Sequence, residues 1–473
     1  MHYKLRKDVI YRKYYNHGYI TDNSDYRYFG LDNKRKKLGE KYVSASGAVM
    51  LGMLSQTPRD IDDIIEDLLK IFVGVDFETL KRDVVDFFEL FVKEGFVCHG
   101  DTYESCIDTY LTKKTNENNT NNSISTEDCT GLIGENEFLR SIHIDVANAC
   151  NERCIHCYIP NDCKKNIIDS SLFYKIIDEG LEMNIVHVTL SGGEPLLHPD
   201  FHSFLQRCRE KNLGVNVLSN LTLLTDDIIE EMGKNPLLSV QTSLYSMNPV
   251  IHDSITKVSG SFKKTSEGIL LLQTANIPVQ ISCPIMKQNK DSFVDVLHWG
   301  WNHNIDVVFE PQIFAAYDHS KVNIENRLSI EEVHDIIMIQ MQEGYAQSLN
   351  EICKLKMQQK ESDSICSICH YSFCITAEGK AFPCAGWQNN IIGDLNSQSV
   401  KDIWETSEKI QNLRNVRLAD FKKCINCEDR GYCTVCMMWN ANENDDSDPY
   451  KINPYRCKIA SITHHEVEKT LLK

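Results

Sequence analysis

Three cysteines stand close together in the first half of the chain, within eight residues of one another: Cys150, Cys154 and Cys157. They come directly after a strand-like run at 142–146. Three thiolates so spaced can hold three corners of a cubic iron–sulfur cluster. A structural zinc site would need a fourth nearby ligand, and His156 is badly placed to provide one. The spacing therefore indicates a cluster with one iron left open, and three buried structural cysteines are the alternative.

A second motif follows the strand-like run at 185–190 and reads Ser191-Gly192-Gly193-Glu194-Pro195. Two residues without Cβ let the backbone approach a ligand closely. The Glu194 carboxylate can meet a cationic group, and the proline stiffens the turn. By itself such a turn is a common loop. At the end of a strand next to the cysteine-bearing one, it indicates a ligand site.

The C-terminal part of the chain carries a second constellation of nine cysteines. They are Cys366, Cys369, Cys374, Cys384, Cys424, Cys427, Cys433, Cys436 and Cys457. Two cubic clusters need up to eight thiolates, so this number suffices. Pairs with two intervening residues also suit zinc, and two zinc knuckles are the alternative. Elsewhere the cysteines are isolated, and we expect them to pack rather than bind metal: Cys98, Cys106, Cys129, Cys163, Cys208, Cys283 and Cys353.

Composition limits the classes of protein that remain. The chain has 473 residues, 42% of them hydrophobic and 25% charged, which predicts two to four globular domains. Its net charge of −17 argues against non-specific nucleic-acid binding. We find neither a signal-peptide pattern nor an apolar window long enough to span a membrane. The sequence therefore predicts a cytoplasmic protein, in which thiols stay reduced and clustered cysteines favour metal.

The first 105 or so residues contain three helical patterns. One covers 44–54, the second opens at Pro58 with Thr57 as its N-cap, and the third covers 76–94 with apolar residues at helical spacing. With a short strand at 96–98, these elements indicate a winged-helix-type module, and a small helical domain of unknown role is the alternative.

The Thr- and Asn-rich segment 111–127 cannot bury enough apolar area to fold, and it predicts a linker. Beyond it, strand-like runs alternate with helical patterns such as 170–183 and 200–211, which indicates a parallel sheet or barrel. Residues 329–360 are predicted to be helical, and from 363 onward we find no long periodic element. The strand-like runs are 142–146, 185–190, 215–218, 238–243, 279–282 and 307–309.

The first cysteine motif, together with Gly192-Gly193-Glu194-Pro195, resembles the radical S-adenosylmethionine (radical SAM) enzymes. The resemblance implies an α/β fold, a partial (β/α)6 TIM-like barrel. It implies that the methionine moiety chelates the open iron, that one electron cleaves the sulfonium, and that a 5′-deoxyadenosyl radical abstracts hydrogen from the substrate. Glu194 would then meet the methionine ammonium. By the same resemblance, Ser219 and Asn220 would contact the ribose, and Ser243 the methionine.

The C-terminal constellation resembles the SPASM extension of these enzymes, which houses auxiliary [4Fe–4S] clusters. The resemblance implies three such clusters in all. One auxiliary cluster would be bound by Cys424, Cys427, Cys433 and Cys457. The other would be bound by Cys366, Cys384 and Cys436, with Cys369 or Cys374 as the fourth ligand. The family usually has three residues between the last pair of its motif, whereas Cys433 and Cys436 are separated by two.

With this extension in view, the N-terminal module resembles a PqqD-like leader-recognition domain. The resemblance implies a precursor peptide as partner, whose leader adds as an extra strand. A structural cap on the barrel is the alternative. The resemblance to radical SAM enzymes also implies an electron donor such as flavodoxin or ferredoxin, and no nucleic-acid or membrane partner. The predicted divisions are a leader-recognition domain, a linker, the barrel, a helical bridge and an auxiliary-cluster domain, at 1–107, 108–137, 138–322, 323–362 and 363–473.

This combination predicts a radical maturase of ribosomally made peptides, and a cysteine thioether is the expected product. Carbon–carbon or carbon–oxygen crosslinking, epimerisation and formylglycine formation of the sulfatase-maturase type are the alternatives. A zinc-binding scaffold without catalysis is the alternative from another class. The sequence identifies no catalytic base. Asp145 and Glu310, near strand ends, are candidates for a later deprotonation.

Overall fold

The structure is a computed structural model, and it describes residues 1–14, 16–31, 34–113 and 138–472. Most of the predicted linker lies outside the described residues. The strands, in chain order, are β1 His2–Leu5, β2 Ile10–Lys13, β3 His17–Thr21, β4 Glu40–Ser44, β5 Arg59–Asp60, β6 Val97–Gly100, β7 Ser141–Ala147, β8 His187–Gly192, β9 Gly214–Leu218, β10 Leu238–Ser243, β11 Val279–Pro284, β12 Asp306–Glu310, β13 Ser372–Ile375, β14 Lys380–Phe382 and β15 Gly393–Asp394.

The helices alternate with strands in the middle of the chain and dominate its C-terminal part. In chain order they are α1 Ala45–Leu51, α2 Ile61–Leu69, α3 Phe77–Glu94, α4 Ser170–Glu182, α5 Phe201–Glu210, α6 Asp226–Lys234, α7 Pro249–Thr256, α8 Ser261–Thr274, α9 Phe293–Asn302, α10 Ile330–Gln342, α11 Ala346–Met357, α12 Val400–Thr406, α13 Glu408–Arg414, α14 Lys422–Ile425, α15 Met437–Glu443 and α16 Pro454–Leu471.

The N-terminal module combines two small sheets with three helices. One sheet has the order β5-β1-β6 and the other β2-β3-β4. On α3, the buried residues Leu80, Val84, Phe88 and Phe91 recur at helical spacing and form the core against α2. Asp76 caps the start of α3, and Gly95 ends it with φ +92°. The α+β winged-helix-like character expected for this module is confirmed.

The predicted start of the second helix is wrong. Thr57 and Pro58 lie in a turn before the helix, and α2 begins three residues later, with the Asp60 side chain accepting from the backbone N–H of Asp62. The cause is tertiary, because Arg59 and Asp60 pair with β1 as strand β5. Sheet pairing to a segment at the start of the chain overrides the local proline signal.

Six parallel strands form the barrel, in the order β12-β11-β10-β9-β8-β7. The alternation along them separates two faces. On one face, His143 aligns with Thr189 and Asn216 across three strands. On the other face, apolar residues such as Ile144 and Leu190 are fully buried against the surrounding helices. The partial (β/α)6 barrel is confirmed, and its lumen is polar.

A segment of the N-terminal module closes the amino end of the barrel. It joins β3 to β4, and Tyr26 stacks on His187 at the start of β8, with ring centroids 4.8 Å apart. The Tyr26 carbonyl accepts from Asn216 Nδ2 at 2.5 Å, and the Tyr28 N–H donates to Ser239 Oγ at 3.3 Å. These contacts fix the module at the end of the barrel opposite the cysteine motif.

The C-terminal part is continuous with the barrel sheet. Strand β13 pairs in parallel with β7, and β14 and β15 follow antiparallel. The predicted helical stretch 329–360 is two helices, α10 and α11, separated at Gly344, which has φ +88°. The part after 363, where the sequence shows no long periodic element, nevertheless contains one long helix, α16, of 18 residues.

Helix α16 escapes sequence analysis because it has no regular apolar stripe. Its buried residues include Glu466, which pairs with His334 and Lys469 instead of packing in an apolar core. The start of the helix does carry a local signal, since the Asn453 side chain caps Tyr455 N–H with a proline at the first helical position. Within the described residues, no helix combines the length and the apolar character that a membrane span requires.

Candidate functional site

The three cysteines of the first motif lie in the loop after β7, at the carboxyl end of the barrel. Cys150, Cys154 and Cys157 are all half-buried. The loop is anchored to α7, since the backbone N–H groups of Arg153 and Ile155 donate to the carbonyls of Thr256 and Ile255 at 2.9 and 3.0 Å. One short loop therefore presents all three sulfurs where ligands bind in parallel α/β barrels.

Burial shapes the chemistry of these thiols. It raises the pKa of Cys150 to about 11, and it raises that of Cys154 well above its usual value. The Glu152 carboxyl between them is also buried, and burial raises its pKa to about 7. A thiolate in such surroundings needs a nearby positive charge, which a metal cluster supplies. In the part of the chain that the structure describes, no three metal-ligating side chains converge closely enough for one metal ion.

The glycine turn after β8 is locked against the cysteine loop by backbone contacts. Gly193 N–H donates to the Ala147 carbonyl at 2.6 Å, and Glu194 N–H donates to the Ala149 carbonyl at 2.9 Å. Gly192 has φ +127°, and a Cβ there would lie 2.1 Å from the Ala147 oxygen. A Cβ on Gly193 would lie 2.5 Å from the Ala149 oxygen. Both positions therefore require glycine for steric reasons, as well as offering backbone to a ligand.

Glu194 is fully buried, and its carboxylate is held from three sides. Oε1 accepts from Ser219 Oγ at 2.7 Å and from Leu196 N–H at 3.0 Å, and Oε2 accepts from Asn220 N–H at 2.7 Å. Burial raises the pKa of Glu194 to about 7, and these hydrogen bonds act in the opposite direction. It makes no ion pair with any Lys, Arg or His among the described residues. A buried, orientated carboxylate of this kind fits an ammonium group of a ligand.

The C-terminal cysteines fall into two groups. In the inner group, Cys436 acts electrostatically on both Cys366 and Cys384, and Cys384 in turn acts on Cys374. The pKa of Cys384 is raised to about 12. Burial is the largest cause, and the nearby charge of Cys436 is the second. Cys369 also acts on Cys384 and on Cys374, so both candidates for the fourth ligand lie beside this group.

The outer group surrounds a cavity of about 620 Å³. The cysteines that line it are Cys424, Cys427, Cys433 and Cys457, together with Cys436, which also acts on the inner group. Burial raises the pKa of Cys424 to about 11, with further contributions from the other three sulfurs. Four basic side chains line the same cavity and would offset the negative charge of thiolates: Lys356, Lys423, Arg430 and Arg456. Cys436 borders both groups, so the division of these cysteines into two ligand sets stays a prediction.

Comparison with known families agrees with this geometry. A model described as the radical SAM superfamily matches residues 144–300, which contain the cysteine loop and the glycine turn. This part of the chain is a radical SAM domain. A model described as an iron–sulfur cluster-binding domain (SPASM) matches 366–428, and one described as coenzyme PQQ synthesis protein D (PqqD) matches 39–97. The chain thus has the architecture of a radical SAM peptide maturase with a leader-recognition domain.

Individual relatives match the chain at low sequence identity. The chain is 25% identical over 322 residues to the AdoMet-dependent heme synthase of Methanosarcina barkeri, covering 63% of this chain and 90% of that protein. It is 23% identical over 333 residues to the subtilosin biosynthesis protein AlbA of Bacillus subtilis, covering 66% and 70%. Its fold is similar to that of Streptococcus suis SuiB bound to the precursor peptide SuiA, with a TM-score of 0.62, 13% identity, and coverage of 95% and 99%.

The cofactors of this radical SAM enzyme are [4Fe–4S] clusters and S-adenosylmethionine, as its domains imply. The residues fit them. Three half-buried cysteines on one loop supply the donor set for a cluster with an open iron, and Glu194 supplies the carboxylate for an ammonium. When bound, the cluster and S-adenosylmethionine supply a carbon radical able to abstract hydrogen.

The remaining predicted contacts to S-adenosylmethionine stay predictions. Ser219 Oγ donates to Glu194, and Asn220 Nδ2 donates to Asn151 Oδ1 at 2.9 Å. Ser243 ends β10 and lies beside Ser282 in the sheet register. All three are at the carboxyl ends of barrel strands, as expected. Ser219 takes part by orientating Glu194, a role that sequence analysis did not identify.

Sequence analysis also missed Tyr245 and Asn151. The hydroxyl of Tyr245 donates to Cys154 Sγ at 3.8 Å, and its ring packs edge-on against His156 with centroids 5.2 Å apart. Asn151 Nδ2 donates to Thr222 Oγ1 at 2.6 Å and so ties the cysteine loop to the loop after β9. Both follow predicted site residues within two positions, which is the signal that could have found them.

The two candidate bases occupy different surroundings. Asp145 is buried in the lumen, where it pairs with His143 Nε2 at 3.1 Å and accepts from Gln388 Nε2 of the C-terminal part at 2.8 Å. Glu310 ends β12, and burial raises its pKa. Asp145 thus lies between the barrel and the auxiliary-cluster domain, and a role as base stays a prediction for both.

Of the seven isolated cysteines, the six that the structure describes do not line the cavity of the outer group. Four are buried: Cys208 and Cys283 lie in the main apolar core, Cys98 contacts the Thr109 hydroxyl, and Cys106 donates to the Cys98 carbonyl. Cys163 and Cys353 are half-buried beside Tyr317 and Tyr432 respectively. Cys129 lies outside the described residues.

Proposed function

We propose that this enzyme installs an intramolecular crosslink in a ribosomally synthesised precursor peptide, and among the candidate bonds we favour a cysteine thioether. The observation that carries the proposal is the PqqD-type module on the same chain as the radical barrel and the SPASM domain. Enzymes that act on small metabolites have no need of a peptide-binding module. The similarity to AlbA and to SuiB with its precursor peptide supports the same conclusion.

The leader would dock on β4. Among the residues that the structure describes, this strand pairs only with β3, which leaves its second edge to an added strand. The Lys41–Glu94 ion pair connects β4 to the end of α3, and Val43 packs towards α1. A strand added here would run beside α3, with main-chain hydrogen bonds for affinity and side-chain pockets for selectivity.

The chain's own residues would then hold S-adenosylmethionine and exclude water. Glu194 would hold the methionine ammonium, with its oxygens orientated by Ser219 and by the backbone of Asn220. The glycine turn would let the methionine moiety approach the cysteine loop without a side chain between them. Both groups act by positioning, which is the part that the protein contributes to cofactor chemistry.

The thioether reaction balances without a further oxidant. A C–H bond and an S–H bond of the peptide break, and a C–S bond forms. The hydrogen atom ends in 5′-deoxyadenosine, the thiol proton passes to a base or to water, and methionine leaves. One electron enters from the reductant and one is left over when the bond closes, and an auxiliary cluster is the acceptor that we propose for it.

The decisive test is anaerobic incubation with the precursor peptide encoded beside the enzyme, S-adenosylmethionine and dithionite or flavodoxin, followed by mass spectrometry. A thioether predicts a loss of two hydrogens and one fewer thiol reactive with iodoacetamide. A carbon–carbon or carbon–oxygen crosslink gives the same loss with every thiol still reactive. Formylglycine formation removes the sulfur, and an unchanged mass indicates epimerisation or binding only. Any of these three results would overturn the thioether, and an unmodified peptide would overturn crosslinking altogether.

A further inference from the structure

A basic cavity lies between the N-terminal module and the amino end of the barrel. Its volume is about 560 Å³. Six cationic and two acidic side chains line it, an excess of four positive charges in a chain whose net charge is −17. The cations are Arg6, Lys7, Arg27, Arg35, Lys36 and Lys37. The barrel side of the cavity contributes uncharged residues from the ends of α6, α8 and α9, among them Asn235, Asn276 and Asn304.

The inner wall of the cavity is a buried charge network. Arg6 Nε pairs with Asp8 at 2.5 Å, and both Asp8 and Asp22 also lie within 3.8 Å of an arginine nitrogen. Arg27 has a side chain only 8% exposed, and its Nε–H is buried with no hydrogen-bond partner among the described residues. A buried guanidinium donor that lacks an acceptor is costly, so an acceptor from outside the chain would satisfy it.

The outer rim adds cations that lack an ion-pair partner among the described residues. Lys7, Lys36 and Lys37 form no ion pair with any of the described residues. Asp25 is close enough to Lys37 to interact electrostatically, without reaching ion-pair distance. Lys37 Nζ lies 5.0 Å from the centre of the Phe29 ring, which holds it over the cavity wall. Like charges kept together in this way attract an anionic ligand.

We propose that this cavity binds the carboxylate side chains of an acidic segment in the precursor's leader. The identity of the ligand as leader rests on the peptide-maturase function proposed above. Lys37 is three residues before the start of β4, so a leader added along β4 would place its adjoining residues at the cavity. Arginine and lysine give charge-assisted hydrogen bonds to carboxylates, and Arg27 offers the buried one.

The cavity is separate from the strand-addition site itself. Strand pairing reads the backbone of a peptide and is insensitive to salt, whereas the cavity would read acidic side chains and would weaken as salt rises. The PqqD match begins at residue 39, so the segment carrying Arg27, Lys36 and Lys37 lies outside it. The cavity would therefore give this enzyme its own selectivity among leaders that share the same backbone mode.

The test uses the full-length holoenzyme and a fluorescein-labelled hexaglutamate peptide, with hexaglutamine as the uncharged probe. Fluorescence anisotropy should show that hexaglutamate binds and hexaglutamine does not. The affinity for hexaglutamate should fall at least tenfold between 50 and 300 mM NaCl. The double variant Lys36→Gln/Lys37→Gln should weaken it at least tenfold. The matched control is Lys263→Gln/Lys264→Gln, an exposed lysine pair on α8, which should bind as the unchanged enzyme does.

Each other outcome rejects the inference. Equal binding by both double variants would mean that the lysines attract the probe only as general surface charge. Displacement of the dye-labelled peptide by micromolar pyrophosphate, with no loss on adding micromolar unlabelled hexaglutamate, would assign the cavity to a small phosphorylated ligand instead. Arg27→Gln serves as a second variant, with its melting temperature measured, and unchanged hexaglutamate affinity in the folded variant would reject the inference, because Arg27 supplies the buried donor on which it rests.

The failure of this inference can be told apart from the failure of the proposed function. If the precursor is crosslinked by Lys36→Gln/Lys37→Gln with an unchanged KM, the maturase function stands and the cavity has no part in leader binding. If hexaglutamate binds as expected but no precursor is modified, the anion site stands and the maturase function falls.

Discussion

The two sets of cysteine sites are built in opposite ways. Cys150, Cys154 and Cys157 come from one loop after one strand, so their proximity is set by local sequence. The auxiliary groups gather sulfurs from residues 366 to 457, and four helices and three short strands separate the first cysteine from the last. A local motif can be recognised by spacing alone, whereas a dispersed one depends on the tertiary fold that brings its parts together.

The same difference appears in what stabilises each region. The cysteine loop is braced by regular elements, through backbone hydrogen bonds to α7 and to the turn after β8. The auxiliary region has short elements and a cavity of about 620 Å³ at the outer group. We infer that the auxiliary region depends on its bound clusters for order, while the barrel loop is organised before any cluster binds.

Removal of one sulfur from the barrel loop should have the largest effect. Cys154→Ala should abolish reductive cleavage of S-adenosylmethionine, since an incomplete donor set cannot hold the cluster, and it should leave leader binding intact. Cleavage is measured as the amount of 5′-deoxyadenosine formed with dithionite as reductant. Leader binding is measured by the fluorescence anisotropy of a labelled leader peptide. Continued formation of 5′-deoxyadenosine would show that this loop does not hold the cluster.

Removal of one sulfur from the outer group should distinguish the role of the auxiliary region from that of the barrel loop. Cys424→Ala should lower the iron content from about 12 to about 8 atoms per chain, and should stop crosslinking while cleavage of S-adenosylmethionine continues. Iron assay and product mass measure the two effects. Cys208→Ala is the matched control, because Cys208 is buried on α5 away from both groups, and its iron content should not change.

Substitution in the glycine turn should weaken the binding of S-adenosylmethionine without loss of iron. In Gly193→Ala the new methyl group would meet the Ala149 oxygen, so the turn must move. We expect about a hundredfold weaker binding of S-adenosylmethionine by isothermal titration calorimetry. Gly233→Ala is the control, since a Cβ there meets nothing within 4 Å, and the change in α6 should stabilise folding by ~0.5–1 kcal/mol. Equal affinities in both variants would remove the turn from the cofactor site.

The smallest effect concerns pH. Burial raises the pKa of Glu194 to about 7, so this carboxyl takes up a proton as pH falls through 7 and can no longer attract an ammonium. Affinity for S-adenosylmethionine should therefore fall about tenfold between pH 8 and pH 6. Glu194→Gln should bind weakly at both values with little change between them. A wild-type affinity that is constant across this range would contradict the assignment of Glu194.

Sequence analysis recovered the elements whose signals are local. The six barrel strands, the third helix of the N-terminal module and the cysteine and glycine motifs all follow from periodicity and spacing. The start of α2 did not, because Arg59 and Asp60 are recruited by β1. Helix α16 did not either, because its buried Glu466 breaks the apolar pattern. Tyr245 reaches Cys154 across the barrel mouth, and no spacing rule predicts a contact between residues 91 positions apart.

The position of the N-terminal module at the amino end of the barrel fixes the distance between β4 and the cysteine loop. Arg140, which pairs with Glu40 of β4, directly precedes β7, and the cysteine loop begins beyond the other end of that strand. The seven residues of β7 span about 23 Å. A precursor held at β4 therefore needs a spacer of at least about seven extended residues before its first modified position, and shorter spacers would leave that position out of reach.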